Sequence, residues 1–201
     1  MKITWNGHAC FTVETAEGTV VLDPFGDGSV PGFEPLKLKA DLVLCSHEHG
    51  DHNNREAVSL SGRPCGVAVE KVETYHDDVG GAKRGPNTIH ILNAEGMKLV
   101  HLGDLGCDLT VEQVEKLVGA DVLMIPIGGY YTIDSAQALK VVQLLKPRVT
   151  LPMHYRDAGH GFPVISTSEE FRAGCLNPVQ LPGREITVDA ETKVQTVFFT
   201  L

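Results

Sequence analysis

The chain has 201 residues, 42% of them hydrophobic and 21% charged, and 17 Lys plus Arg against 26 Asp plus Glu give a formal net charge of −9 at pH 7. These proportions are those of a globular domain and argue against a disordered tail, a collagen-like repeat or a coiled coil. The acidic balance argues against a protein that grips a nucleic-acid backbone, which needs a basic face, while leaving room for a small anionic substrate held through a metal.

In chain order, the first half reads as strands. Residues 2–5, 10–15 and 19–23 are short β-branched runs separated by Gly, Asn or Glu-Gly turns. Residues 24–40, rich in Pro, Gly and Asp, read as a loop. Leu42-Val43-Leu44 is a continuous apolar run of the kind buried on both faces. Residues 53–60 read as a short helix, and 66–75, 87–92 and 97–102 as strands. The second half alternates. A helix at 110–118 opens on Thr110 with Gln113 at the capping-box position, and another at 135–145 opens on Asp134 with Gln137 and stops at Pro147. Strands are expected at 121–125 and 148–151, a short helix near 168–174, and strands near 184–188 and 193–200. No apolar run approaches a membrane span, and the N-terminus lacks the apolar stretch of a signal peptide. Five scattered cysteines without a CxxC make neither a disulfide framework nor a zinc ribbon, which fits a reducing cytoplasm.

A faint repeat is present. Val20-Val21-Leu22-Asp23 precedes Ala40-Asp41-Leu42-Val43-Leu44, and Val100-His101-Leu102-Gly103-Asp104 precedes Ala120-Asp121-Val122-Leu123-Met124. The offsets, 104 − 23 = 81 and 121 − 41 = 80, suggest two similar halves packed sheet on sheet.

The chemistry concentrates in His47-Glu48-His49-Gly50-Asp51-His52, directly after an apolar strand. Imidazole and carboxylate without thiolate suit zinc, and also manganese or iron. His47 and His49 can point one way from an extended loop, while Asp51 and His52, past Gly50, can point to a second site. The competing reading is a solvated, His-rich turn. Asp104 ends a strand between glycines, where it is either a turn residue or a carboxylate close enough to bridge two ions. His154 follows a strand in Leu151-Pro152-Met153-His154-Tyr155, and His76 follows another; position alone leaves both between ligand and structure. His90, within Thr88-Ile89-His90-Ile91-Leu92, reads as a solvent-facing strand residue, and His101 as a supporting or structural one.

Together these residues resemble the metallo-β-lactamase superfamily over nearly the whole chain. The first motif is His47/His49/Asp51/His52, the next ligand His76, the bridging carboxylate Asp104 and the last ligand His154, while Asp23 matches the aspartate that supports the metal-binding loop. Trp5-Asn6-Gly7-His8-Ala9-Cys10-Phe11 resembles the start of the L-ascorbate-6-phosphate lactonase-like branch; the segment from Asp121 to Asp134, with Gly128-Gly129-Tyr130-Tyr131-Thr132, and Leu151 to Tyr155 point the same way. The resemblance implies an α/β (α+β) fold, a four-layer αββα sandwich, in one domain over 1–201, with helices outside and metals at one edge. It implies that His47, His49 and His76 hold one divalent ion, that Asp51, His52 and His154 hold the second, and that Asp104 bridges. The interval 76 − 52 = 24 is compact for the third motif, which keeps His90 as the fallback ligand.

Two such ions, roughly 3.5–4 Å apart, would share a water and lower its pKa toward about 7, so that a bridging hydroxide is the nucleophile. No GxSxG suggests a serine nucleophile. Asp51 and Asp104 are the catalytic carboxylates of this reading, and His8, Tyr131 and His160 are candidate substrate-side donors. The expectation is a cytoplasmic zinc-dependent hydrolase of a small ester, lactone or phosphoester, with a small-molecule substrate, no nucleic acid or membrane partner, and a homo-oligomer compatible with the sequence. The alternatives are a metal-binding sensor or scaffold without turnover, and a nuclease of the same superfamily.

Overall fold

The computed structural model describes residues 1–200. Its elements are β1 (Lys2–Gly7), β2 (Cys10–Thr15), β3 (Gly18–Leu22), β4 (Leu38–Ala40), β5 (Leu42–Leu44), β6 (Val58–Leu60), β7 (Ala68–Tyr75), β8 (Pro86–Ala94), β9 (Met97–His101), α1 (Val111–Leu117), β10 (Val122–Pro126), α2 (Ser135–Leu145), β11 (Val149–Met153), α3 (Glu169–Gly174), β12 (Pro178–Leu181), β13 (Glu185–Thr187) and β14 (Gln195–Phe199). They form a five-stranded sheet in the order β13-β1-β2-β3-β5, a seven-stranded sheet in the order β12-β14-β11-β10-β9-β8-β7, and a small β4-β6 ladder. Both large sheets are mixed: β1, β2 and β3 run antiparallel and β3 pairs parallel with β5, while β7, β8 and β9 run antiparallel and β9, β10, β11 and β14 run parallel.

The sheets face each other across one apolar core. Alternation along β1 sends Ile3 and Trp5 into it, and the parallel strands β10 and β11 are buried at every position. Both expected capping boxes form, Thr110 with Gln113 at α1 and Asp134 with Gln137 at α2. Helix α2 buries Ala138, Val141 and Leu145 along one stripe and ends on Lys146 in the left-handed conformation, just before Pro147.

The two-sheet fold matches expectation, with four local differences. Among the described residues the outer face of the five-stranded sheet carries no α-helix; Phe25, Val30, Ala40 and Val58, from the 24–40 loop and the β4-β6 ladder, cover Cys10 and Val21 instead. Leu42–Leu44 is not buried on both faces: it is the edge strand β5, and all three residues are partly exposed. Residues 53–60 form a single 3₁₀ turn, Arg55–Ala57, and then strand β6, because Val58-Ser59-Leu60 pairs with β4. Strand β12, at the edge of the larger sheet, was not expected from the sequence.

The repeat is visible as matching hydrogen bonds. In one half, Thr19 N–H donates to the Asp41 carboxylate at 2.9 Å and Asp41 N–H donates to the Thr19 carbonyl at 2.9 Å. In the other, Lys98 N–H donates to the Asp121 carboxylate at 2.8 Å and Asp121 N–H donates to the Lys98 carbonyl at 2.8 Å. Arg63 pairs with Asp41 as Arg148 pairs with Asp121. Each half then ends its first strand in an aspartate-bearing turn, at Asp23 and at Asp104. These turns, the loop after β5, His76 after β7 and His154 after β11 all open on one edge of the sandwich.

Candidate metal centre

The loop after β5 is held from beneath by Asp23. Asp23 Oδ1 accepts the Ser46 N–H at 2.7 Å, and Oδ2 accepts the Ser46 hydroxyl at 2.6 Å and His52 Nδ1–H at 2.8 Å. One fully buried carboxylate therefore pins both ends of the 46–52 segment. Burial alone would raise the Asp23 pKa, but the His101 and His52 rings and the Ser46 hydroxyl hold it below the carboxylate range. These bonds also fix tautomers. With its proton on Nδ1, His52 presents the Nε2 lone pair to the site. The Ser46 hydroxyl, donating to Asp23, can accept from His47 Nδ1–H at 2.8 Å and frees His47 Nε2 in the same way.

Around Asp104 the donors converge. Asp104 Oδ2 lies 3.2 Å from each of His52 Nε2, His76 Nε2 and His154 Nε2, and 3.9 Å from His47 Nε2. His47, His49 and His76 each offer a nitrogen, all within 4.8 Å of one another; so do the donors of His8, Asp51, His52 and His154, and those of His47, His52 and Asp104. Asp104 Oδ1 and the Nε2 atoms of His47, His52 and His154 are buried without a hydrogen-bond partner. Buried polar atoms are rarely left so, and rarely together. Lone pairs of imidazole and carboxylate pointing at a common centre are what a divalent cation satisfies, and this nitrogen and oxygen set suits zinc, manganese or iron. Burial opposes the charged form of His52, but Asp104, Asp23 and Asp51 together outweigh it and raise the His52 pKa, while burial lowers that of His76 and takes His47 down to about 3.

The backbone is shaped for this convergence. His8, Asp23 and His154 have φ of 52°, 46° and 52°, in a region that non-glycine residues seldom occupy and that clusters at functional sites. Gly103 has φ of 55°, and a Cβ there would lie 2.4 Å from Asn87 Oδ1 and 2.5 Å from Ser46 Cβ. A Cβ on Gly106 would lie 2.4 Å from the His76 carbonyl carbon. Asn87 Oδ1 accepts the Asp104 N–H at 2.9 Å, and its Nδ2 donates to Thr74 Oγ1 and to the Leu102 carbonyl. That brace holds the turn that presents Asp104.

Asp104 opens onto a cavity of about 230 Å³ lined by His49, Asp51, His76, Arg84, Asp104, Tyr131 and Phe162. A larger apolar groove of about 390 Å³, between α2, α3 and the ends of β11 and β14, contains none of these residues. Of the three candidate substrate-side donors, only Tyr131 reaches the cavity. His8 is fully buried; its Nε2–H donates to Asp51 Oδ2 at 3.3 Å, and its ring packs 4.0 Å from that of His154. His160 lines a different cavity with Trp5 and Phe33, because its loop folds back on the Pro31-Gly32 turn. His90 is buried rather than solvent-facing and does not join the cluster. It pairs across the strands with His101, and His101 donates to the Ala9 carbonyl of the opposite sheet at 2.9 Å, so both rings lie between the sheets. Arg84, Asn87 and Phe162 were not singled out by the sequence; all three meet the site through tertiary contacts, and no local spacing marks them.

Comparison with known proteins gives consistent matches. A family model described as the beta-lactamase superfamily domain matches residues 2–154, a span that ends on the last histidine of the cluster. A UPF0173 metal-dependent hydrolase from Archaeoglobus fulgidus is 32% identical over 212 residues, covering 86% of this chain and 89% of its own. A solved structure from Thermotoga maritima, assigned to the Zn-dependent hydrolases of the metallo-beta-lactamase superfamily, is 34% identical with a TM-score of 0.77, over 98% of this chain and 97% of that one. Igni18, a metallo hydrolase from Ignicoccus hospitalis, is 26% identical with a TM-score of 0.62, over 86% and 88%.

Proposed function

Because the chain belongs to the metallo-β-lactamase superfamily, among its UPF0173 metal-dependent hydrolases, we propose that its His/Asp cluster holds two divalent ions, zinc first, for hydrolysis of a small ester, lactone or phosphoester. His47, His49 and His76 would hold one ion, Asp51, His52 and His154 the other, and Asp104 both. When bound, such a pair activates a water as nucleophile and polarises the carbonyl or phosphoryl oxygen under attack. The observation that carries this reading is the single carboxylate oxygen with three imidazole Nε2 atoms at 3.2 Å, two of them without a hydrogen bond.

The chain's own residues supply the rest. Asp51 sits at the cavity wall with Oδ2 against His8 Nε2–H, and the His52 and His8 contacts overcome burial and hold its pKa well below the carboxylate range. It stays ionised and can orient the attacking water or accept a proton from it. Tyr131 and Phe162 give the cavity an apolar wall that limits water access. Cys45 is no rival nucleophile: burial, reinforced by Asp23, pushes its thiol up to about 12. The cavity size suits a small molecule, and its opening beside Asp104 favours turnover over a closed sensor site. The net charge of −9 disfavours a nuclease. Placement on the lactonase-like branch rests on the Trp5–Phe11 segment, whose His8 touches Asp51 and His154. Five free cysteines support a cytoplasmic location.

Elemental analysis of protein purified without chelator or His-tag, beside Asp104→Ala, tests the reading. The expected result is about two divalent ions per chain, falling clearly in the variant together with hydrolysis of any lactone or phosphodiester the wild type cleaves. Metal well below one per chain after reconstitution with zinc and manganese would overturn it.

A further inference from the structure

The segment joining β7 to β8 is exposed at its tip, yet it is built around one carboxylate. Asp77, buried next to His76, accepts four backbone N–H groups: Val79 at 3.0 Å and Gly81 at 2.8 Å on Oδ1, Lys83 at 2.9 Å and Arg84 at 2.7 Å on Oδ2. Burial would raise the Asp77 pKa, but these four donors hold it down at about 2. Gly80, Gly81 and Gly85 take the positive φ values that this wrapping demands. The result is a rigid turn that starts at His76 and delivers Arg84 to the mouth of the cavity.

The Arg84 side chain is oriented there. Nη2 donates to the Tyr130 carbonyl at 2.9 Å, and the guanidinium carbon lies 5.6 Å from the centre of the Tyr131 ring. Its other side-chain N–H groups have no protein acceptor, and no carboxylate pairs with it among the described residues. Arg55, Arg63 and Arg148 each hold a carboxylate instead. Arg156 and Arg172 also lack a carboxylate partner, but they bond to the Ile165 carbonyl and to Gln180 away from the site, whereas Arg84 lines the same cavity as Asp51 and Asp104. A planar fork with free donors matches a carboxylate or phosphate.

We propose that Arg84 forms an oxyanion subsite, so that the substrate is an ester or lactone carrying a carboxylate or phosphate away from the scissile bond. The proposal rests on the hydrolase reading above. Arg84 would act through binding and selection, since the bond under attack lies across the cavity at Asp104. Loss of a charge-assisted contact of this kind predicts about a tenfold or larger effect.

The test uses zinc-loaded wild type, Arg84→Gln and Arg84→Lys, each with its zinc content measured. One arm compares kcat/KM for mono-(4-nitrophenyl) adipate with that for 4-nitrophenyl hexanoate, esters alike but for a terminal carboxylate, on a tether long enough to disfavour cyclisation onto the ester. The other measures inorganic phosphate affinity by calorimetry. The expected result is that Arg84→Gln lowers the adipate-to-hexanoate ratio, or weakens phosphate binding, by about tenfold or more with zinc content retained, and that Arg84→Lys falls between. The arm that responds identifies the oxyanion as carboxylate or phosphate. A ratio and an affinity both within about twofold of wild type, at equal zinc content, would overturn the subsite and leave the hydrolase reading standing. Failure of the wild type to take up zinc would overturn both.

Discussion

The two parallel strand pairs, β3 with β5 and β9 with β10, share their hydrogen bonds, their Ala-Asp entry and their closing aspartate turn. They use that turn in opposite ways. Asp23 is saturated: three donors fill it, all from the loop it supports. Asp104 is left open: one oxygen has no partner, and the other faces imidazole nitrogens. The same framework thus makes a brace in one half and an open carboxylate among imidazoles in the other. What differs is the facing side chains: a serine and an Nδ1–H in one case, Nε2 lone pairs in the other. His52 touches both aspartates and carries one half into the other through the two sides of its ring.

The largest effect should separate the two aspartates. Asp104→Asn is expected to lose the metal and all measurable hydrolysis while keeping its far-ultraviolet circular dichroism. Asp23→Ala should instead weaken metal affinity by about 10–100-fold, read by competition with a chromophoric chelator. It should also destabilise the fold by on the order of 3 kcal/mol in denaturant titration, because His52 and Ser46 lose a buried partner. Identical behaviour of the two variants would break the comparison.

A smaller effect tests the turns themselves. Gly103→Ala should cost about 1–3 kcal/mol through its clash with Asn87 and Ser46 and should also lower metal affinity. Gly28 has φ of 69° but open space at its Cβ, so Gly28→Ala should cost about 1 kcal/mol or less and leave metal affinity alone. Smallest of all, Arg148→Ala should lower the unfolding midpoint more than Arg63→Ala. The Arg148 side chain is 29% exposed and Arg63 is 75% exposed, though each serves the equivalent aspartate. Equal shifts would mean that the matched ion pairs do not differ in burial where it counts.

What could be read from the sequence was local. The capping boxes at Thr110 and Asp134, the cluster from His47 to His52 and the repeat around Asp23 and Asp104 depend on near neighbours, and the structure contains each arrangement. The misreadings share a cause as well. Alternation with one wet face predicts an outward His90, but β8 faces another sheet and is buried on both sides over most of its length. Val58-Ser59-Leu60 was too short to declare itself against a helix until β4 supplied a partner. Arg84, Asn87 and Phe162 come from loops and strand ends far apart in the chain, and their proximity to Asp104 is a product of the fold. Position in the chain left His76 undecided, and only the approach of Gly106 shows how tightly its backbone is held.

One feature of the topology bears on how the molecule comes together in time. The donors run from His47 to His154, and the sheets that aim them are completed late: β13 pairs with β1 and β14 with β11. Such long-range pairings slow folding and delay the final register until the C-terminal strands are made. A nascent chain ending after the His47–His52 loop already carries its Asp23 brace but lacks the donors of His76, Asp104 and His154. The His154 donor joins the others only when β11, and the strands on either side of it, take their places. The full set of donors is thereby a property of the finished fold rather than of the His47–His52 loop that supplies four of them.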